Sequence, residues 1–420
     1  MTQETVEQFR LRARSWLSMN MPHDSGNSGR TNHDNPTDYF NRMRELQRIL
    51  WDGGFAGIAW PAQYGGLGLS PQHQQVFTEE CANYEMPISL NVPTFGILAA
   101  TLLEFGTEDQ KMRHIPRILR GEELWVQFLS EPTGGSDLAG CLTRADRDGD
   151  IFIMNGSKIW SSSAMVSDYA MCLARTNWDV PKHRGLTMFI VKIHQPGIQI
   201  EPIRMTHGAT EFCQEFFDDV VIPASDVVGE IDDGWNVASR LLLHERYAVG
   251  GASIYTSGPA MTREAVGLEP PLIRLLRDLD LIDDPISRQL AIGHHVENIA
   301  HQCLVRRVTQ AMAAGVMPPP AGSLLKLSHA LLEIDKARVA LEIGGSEMVV
   351  GSGSDSIARQ LGDGSLTRQA ISLGGGSNEI QRNIISERLM GMPREWSGDA
   401  DIAYRDVRRN NMPVGPNQTS

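Results

Sequence analysis

Four short stretches hold residues whose types and spacing could do chemistry. The first is 125–137, WVQFLSEPTGGSD. An apolar run with strand character turns abruptly at Pro132, which fixes its own backbone and biases Glu131 toward an extended conformation. Ser130, Thr133 and Ser136 supply short polar contacts, Glu131 adds a carboxylate, and Gly134-Gly135 lets the backbone approach a ligand closely. Such a stretch suits a flat, hydrogen-bonding cofactor or a thioester, and equally suits a polar turn after a strand. The second, 155–163 (NGSKIWSSS), places Trp160 beside Ser161, Ser162 and Ser163. That is an aromatic wall with donors for a flavin ring, or a core tryptophan. The third is His244-Glu245-Arg246 within the apolar segment LLLHERYAVGG. Burial there would raise the Glu245 carboxyl toward the range of a general base, with Arg246 available to hold it ionised or to bind a phosphate. A solvated helix face is the alternative. The fourth is Gly374-Gly375-Gly376-Ser377-Asn378-Glu379, three glycines before a helix start. Exposed N–H groups there suit carbonyl or anionic oxygens, while Ser377 or Asn378 can cap the helix with no further role.

Other chemistries find no support. There is no phosphate-binding GxxxxGK[ST], no GxGxxG between strand and helix, no GxSxG elbow and no HExxH. His294, Glu297 and His301 share a helix face but match no metal motif, so no metal is expected. The five cysteines are scattered without a CxxC pair, which fits a reducing, cytoplasmic setting. The formal charge of −13 and the absence of basic blocks argue against nucleic acid. No apolar run of about 18 residues is evident, so no membrane insertion is expected. The first residues read as an amphipathic helix without the apolar core of a signal peptide.

The elements that must position these stretches change character along the 420 residues. Helical periodicity marks 1–21 and 38–51, with a Gly-, Asn- and Ser-rich loop over 22–37. Residues 53–70 are too Gly-rich for a helix but carry Phe55, Trp60 and Tyr64, so an ordered, packed loop is expected. Helices return over 72–121, with breaks at Pro87, Pro93 and Gly106. Between 122 and 231 short apolar runs alternate with turns, at 151–154, 170–174, 187–191, 198–203 and 215–222. This predicts an antiparallel barrel or sandwich in which the turns 148–150 and 155–157 bracket one strand. Helical patterns resume at 235–252, 286–314, 324–343 and 379–389, and a loose polar tail follows about residue 404. The expected division is an N-terminal helical domain (1–121), a middle β domain (122–231), a C-terminal helical bundle (232–402) and a tail (403–420).

Taken together, WPAQYGG (60–66), FGTEDQK (105–111), LRGEELW (119–125), SEPTGGSD (130–137), NGSKIWSS (155–162), FFDDVVIPASDVVG (216–229), GWNVASRLLLHER (234–246) and GGSNEIQRNIISER (375–388) resemble the acyl-CoA dehydrogenase family in order and spacing. The resemblance covers nearly the whole chain. It implies an α+β multidomain fold with an N-terminal helical domain, a middle antiparallel β barrel and a C-terminal four-helix bundle. It implies FAD between the β domain and the bundle, with a neighbouring subunit closing the site. Carried over by position, Phe128, Leu129, Ser130 and Ser136 line the flavin or substrate with Gln127 nearby, and Trp160 and Ser162 flank the isoalloxazine. Ser377 and Glu379 fall in the cofactor-binding region, and Ser136, Arg246 and Gly375 in the substrate-binding one. The family's catalytic glutamate occurs at one of two places. One aligns with Gly375; the other, resembling the isovaleryl and long-chain enzymes, aligns with Glu245, which inherits the base role. Glu131 becomes scaffold. The implied reaction removes the α-proton of an acyl-CoA with Glu245 and the β-hydride with flavin N5, while the Gly375 N–H binds the thioester oxygen. The product is a trans-2-enoyl-CoA, and electrons pass to an electron-transfer flavoprotein. The implied setting is lipid metabolism (fatty-acid β-oxidation), in a homodimer or homotetramer.

The sequence departs from the family at two places. The Arg-x-x-Phe-Gly stretch that contacts FAD of the adjacent subunit is replaced over 258–285 by a Pro- and Leu-rich segment. Leu341-Glu342-Ile343 stands where a Gln precedes a Gly-Gly pair. These losses resemble the branch acting on bulky esters such as steroid side-chain CoA thioesters, in which two unlike subunits share a site. A half-site subunit of a hetero-oligomer and an oxidase of the same fold are therefore the competing expectations.

Overall fold

The computed structural model describes residues 4–24, 36–249, 253–256, 269–350 and 356–407. Most of the loop expected at 22–37, part of the 258–285 segment and the tail beyond 407 lie outside the described residues.

The N-terminal part is helical. Val6–Asn20 starts at a capping box between Thr5 and Gln8 and buries Phe9, Ala13 and Leu17, one per turn. These meet Leu46 and Leu50 of Pro36–Asp52 and Phe77 of Pro71–Glu80. The glycine-rich stretch is an ordered loop with Trp60 fully buried, as expected. The expected break at Pro93 does not occur. Ile88–Phe105 is one helix whose middle, Asn91–Ala99, is a π-helix. The wider π turn accommodates the ring of Pro93, which sits near the helix start. This helix is also long and apolar enough by composition to cross a membrane, contrary to the expectation drawn from the sequence. Here Leu90, Phe95, Ile97, Leu98 and Leu102 are buried in the N-terminal core.

The middle part is one sheet with strand order β6-β7-β3-β2-β4-β5-β8, and β1 pairs with β4. The strands are β1 (Trp125–Phe128), β2 (Arg144–Asp148), β3 (Ile151–Ser162), β4 (Tyr169–Arg175), β5 (Leu186–Lys192), β6 (Ile198–Ile203), β7 (Phe212–Pro223) and β8 (Val227–Val228). Pairing is antiparallel except for β1 and β2 against β4. One prediction is corrected: residues 155–157 are not a turn. β3 runs through them with a bulge against β7, at Gly156 (φ 147°). A Cβ there would lie 2.8 Å from the Thr143 backbone, so glycine lets β3 pass close beside the chain leading into β2. β2 escaped notice because its sequence, RADRD, buries only Ala145.

In the C-terminal part Gly322–Gly344 is central. It packs against Pro285–Ala313, Ile357–Thr367, Asn378–Ile384, Pro271–Asp278 and Gly234–Val249. The helix expected over 379–389 is Asn378–Ile384 continued by a π turn, Ile385–Leu389. His294 and His301 serve packing between helices, with their Nδ1 atoms 3.1 Å from Asp335 and 2.9 Å from Ser328. The chain is not loose at Tyr404. That residue is buried, its hydroxyl donates to the Gly140 carbonyl, and the Arg175 guanidinium lies 3.7 Å over its ring.

Candidate active site

Glu245 lies on Gly234–Val249, whose residues Ala238, Leu241 and Ala248 are buried. At helical spacing Glu245 falls on the same face as these three, so the carboxylate is carried into the apolar side of its helix. The neighbouring face is different in kind. Arg240 and His244 both pair with Glu104 of Ile88–Phe105, at 2.8 and 3.1 Å. Burial pushes the Glu245 carboxyl above its ordinary value. A hydrogen bond from Gln127 (Nε2 to Oε1, 3.3 Å) and the positive charges of Arg246 and Lys326 oppose that push. Glu245 is half-buried, and a carboxylate of raised basicity is what proton abstraction near neutral pH requires.

Gly375 comes to the same point from the other end of the C-terminal part. A Cβ built on it would lie 3.9 Å from Glu245 Oε1 and 3.7 Å from Lys326 Cε. Its φ of 69° and the 87° of Gly376 define a left-handed turn that side chains resist. Gln381 clasps this turn, with Nε2 donating to the carbonyls of Gly375 (3.0 Å) and Gly376 (3.2 Å). Among the described residues neither glycine N–H has a backbone acceptor, so both are free to donate to a ligand.

The strand β1 links this carboxylate to the second half of the site. Gln127 and Ser130 are three residues apart, about 10 Å of extended chain. The Ser130 carbonyl then accepts from Ile159 N (2.9 Å), immediately before Trp160. Trp160 is 54% exposed, has φ 67° and meets Phe212 edge-on. A strained aromatic residue held open to solvent is unusual and leaves an indole face on which a flat ligand can stack. Ser161 points inward to Glu215 (2.9 Å), which leaves the exposed Ser162 on the side of Trp160. The turn carrying Ser130 and the exposed Ser136 is anchored by Glu131. Its buried carboxylate accepts from Leu142 N (2.6 Å), Thr143 N (2.8 Å) and Lys158 Nζ (2.9 Å).

The sequence-predicted residues thus separate into groups. Glu245 and Gly375 come together, with Arg246 adjacent in sequence to Glu245 and its buried Nε without a hydrogen-bond partner among the described residues. Ser130, Ser136, Trp160 and Ser162 stand along the β1–β3 edge. Phe128 and Leu129 turn their side chains into the cores, so only their backbone can face a ligand. Ser377 caps Asn378–Ile384 through Ile380 N (3.2 Å). Glu379 points outward, its side chain 76% exposed and 3.5 Å from Arg382. Sequence reasoning missed Lys326 and Gln381; the lone lysine in the apolar run SLLKLSHALL was the available signal. A surface cleft of about 440 Å³ lined by Arg144, Thr176, Asn177, Trp178, Asp179 and Arg405 holds none of these residues.

The groups present fit a flavin. An exposed indole face, the Ser162 hydroxyl, the turn 130–136 and the unpartnered buried Gln127 Oε1 offer stacking and hydrogen bonds to a flat heterocycle.

Comparison with known proteins places the chain in company. Models of the acyl-CoA dehydrogenase N-terminal, middle and C-terminal domains match residues 3–122, 127–220 and 232–390. Acyl-CoA dehydrogenase IpdE1 of Mycobacterium tuberculosis is 35% identical over 408 residues, covering 94% of this chain and 100% of that protein. Among solved structures, the Tcur3481-Tcur3483 steroid ACAD is similar with a TM-score of 0.76 and 28% identity, covering 94% of this chain and 99% of that one. The ChsE4-ChsE5 complex from Mycobacterium tuberculosis gives 0.71 and 26%, covering 94% and 100%.

Proposed function

The chain belongs to the acyl-CoA dehydrogenase family and is an oxidoreductase of that family; from that premise we propose that it binds FAD and dehydrogenates a bulky acyl-CoA thioester between its α and β carbons, with Glu245 as the base. The observation that carries this reading is the approach of Glu245 to Gly375, two positions far apart in sequence: a Cβ placed on Gly375 would lie 3.9 Å from Glu245 Oε1.

Members of the family are flavoproteins, and bound FAD would supply the hydride acceptor. The remaining work falls to the chain's own residues. The α-proton of a thioester is weakly acidic, so its removal needs a base and stabilisation of the developing enolate oxygen together. Glu245 Oε1 takes the proton, and Gln127 orients the carboxylate. The N–H of Gly375, held by the Gln381 clasp, donates to the thioester oxygen. Trp160, Ser162, Ser130 and Ser136 hold the flavin, with Phe128 and Leu129 contributing backbone. Arg246 lies on the substrate side. In this reading Ser377 shapes the loop, and Glu379 contacts the cofactor region from outside the base's position.

The substrate class rests on the resemblance to a steroid enzyme and on the empty position at Gly375, which leaves space beside the base. The reading further includes an electron-transfer flavoprotein as acceptor, a cytoplasmic location and the four-part division at 121, 231 and 402. A second reading, a subunit that completes its FAD site only with an unlike partner, is favoured by the departure over 258–285 and by the similarity to a two-component complex. Flavin content of the chain purified alone separates them: one FAD per chain supports a self-sufficient subunit, and colourless protein supports the shared site.

The test of the base is Glu245→Gln. Bleaching of the flavin by a steroid side-chain CoA ester should be abolished while FAD stays bound. If Glu379→Gln abolishes bleaching and Glu245→Gln does not, the assignment is wrong.

A further inference from the structure

Burial pushes the Glu245 carboxyl up, and the groups that face it set how far that push goes. Among the described residues the groups around it are few. On its own helix Arg246 is adjacent, and its guanidinium is itself weakened by burial. From Ile88–Phe105, Glu104 is occupied with Arg240 and His244 on the neighbouring face. The π stretch Asn91–Ala99 carries no ionisable side chain, and β5 carries only Lys192, exposed at its end. β1 gives the neutral Gln127. Gly322–Gly344 gives Lys326, and Asn378–Ile384 gives the outward Glu379.

Lys326 stands apart. It is 9% exposed in an apolar helix, a position lysine avoids unless it is partnered. Its Nζ donates to the Ile371 carbonyl at 2.7 Å, four residues before Gly375. Its Cε lies 3.7 Å from the point where a Gly375 Cβ would be, the point from which Glu245 Oε1 is 3.9 Å away. Among the described residues no carboxylate makes an ion pair with it; the charges it faces are Glu245 and Glu379.

We propose that Lys326 is a positioning residue for the base: its ammonium keeps the Glu245 carboxyl ionisable and, through the Ile371 carbonyl, fixes the loop that presents the Gly375 N–H. The inference deepens the reading of Glu245 as base and rests on it. The empty position at 375 is part of the device, because a side chain there would contact both Lys326 and Glu245. An acyl thioester bound at that glycine then has beside it both the carboxylate that takes its α-proton, becoming neutral, and a cation near the enolate charge that results.

The experiment is a pH titration of the Glu245 carboxyl by infrared difference spectroscopy on the FAD-loaded protein without substrate, the band being assigned by its loss in Glu245→Gln. In Lys326→Met the midpoint should rise by on the order of 1 pH unit, and in Lys326→Arg it should stay near the wild-type value. Lys326→Gln keeps a hydrogen-bond donor without the charge. It should show the same rise as Lys326→Met, and it replaces that variant if the latter does not fold. With a CoA ester, the acid limb of kcat/KM should move with the infrared midpoint. An unmoved midpoint in Lys326→Gln overturns the inference while leaving the base assignment standing. Full bleaching activity in Glu245→Gln overturns the base assignment, whatever the titration shows.

Discussion

Glu131 sits under the turn that presents Ser130 and Ser136, and its removal should be costly in a way that pH reveals. Burial alone would raise this carboxyl. The Lys158 ammonium at 2.9 Å and the N–H groups of Thr143 and Leu142 outweigh that and bring it from 4.5 to about 2. Lys158 is fully buried, and its charge is held against the same desolvation by the Glu131 carboxylate and by the Leu129 carbonyl at 3.0 Å. At about 1.4 kcal/mol per pH unit, the depressed Glu131 carboxyl is worth on the order of 3 kcal/mol of folding free energy. An independent figure agrees: removing one partner of a buried pair costs about 3–5 kcal/mol, because the other charge is left unpaired. Glu131→Gln keeps the shape and removes the charge. Since the folded-state value lies below the unfolded one, the contribution is complete above about pH 4.5 and is lost as the pH falls toward about 2. Urea unfolding followed by tryptophan fluorescence should therefore show a gap between wild type and Glu131→Gln of about 3 kcal/mol near pH 7 that narrows steadily below about pH 4.5. A gap under about 1 kcal/mol near pH 7, or one that ignores pH, would refute the reasoning.

Glu215 behaves oppositely. Its burial pushes the carboxyl up to about 8 despite the Ser161 hydrogen bond, so the folded state loses stability as pH rises from about 4.5 toward about 8. Glu215→Gln should stabilise the protein, by on the order of 3 kcal/mol near pH 7 and by little near pH 4.5, read as the difference in urea midpoints. Cys303 is exposed while Cys81, Cys141, Cys172 and Cys213 are buried, and burial pushes Cys141 and Cys172 up to about 12. Mass spectrometry after brief alkylation should find label on Cys303 alone; early label on Cys141 would contradict the packing around Lys158. Tyr404→Ala removes a buried ring from beneath Arg175 and should cost about 3 kcal/mol by thermal or urea unfolding, whereas a truly loose tail would show no change.

The sequence made the helices and the apolar strands legible because their periodicities are imposed by burial. Val6–Asn20 and β4 read plainly for that reason. It misled where geometry is set by neighbours. Gly156 reads as a turn residue, but the backbone of Thr143 lies against it, so glycine there admits a close approach within a strand. Pro93 reads as a break, but a π turn takes it in. Tyr404 reads as tail because its partners, Gly140 and Arg175, lie more than two hundred residues away. In the site, Glu245 was visible as a carboxylate in an apolar helix. Lys326 is the same anomaly on another helix, and its meaning emerges only when the two helices and the loop after Ile371 are brought together.

That convergence also explains why position 375 tolerates so little. The backbone there has φ 69°, which costs a non-glycine residue about 1–2 kcal/mol. A methyl group would just fit, at 3.7 Å from Lys326 Cε and 3.9 Å from Glu245 Oε1, but any larger side chain would reach the carboxylate or the lysine. The space beside Glu245 is therefore kept by two independent constraints, one on the backbone and one on the contacts. In the proposed reading a base carried on the long helix Gly234–Val249 and a bare loop opposite it are complementary: Gln127 of β1 and the core face of the helix fix the carboxylate, and the loop leaves the opening through which a substrate carbonyl reaches the Gly375 N–H.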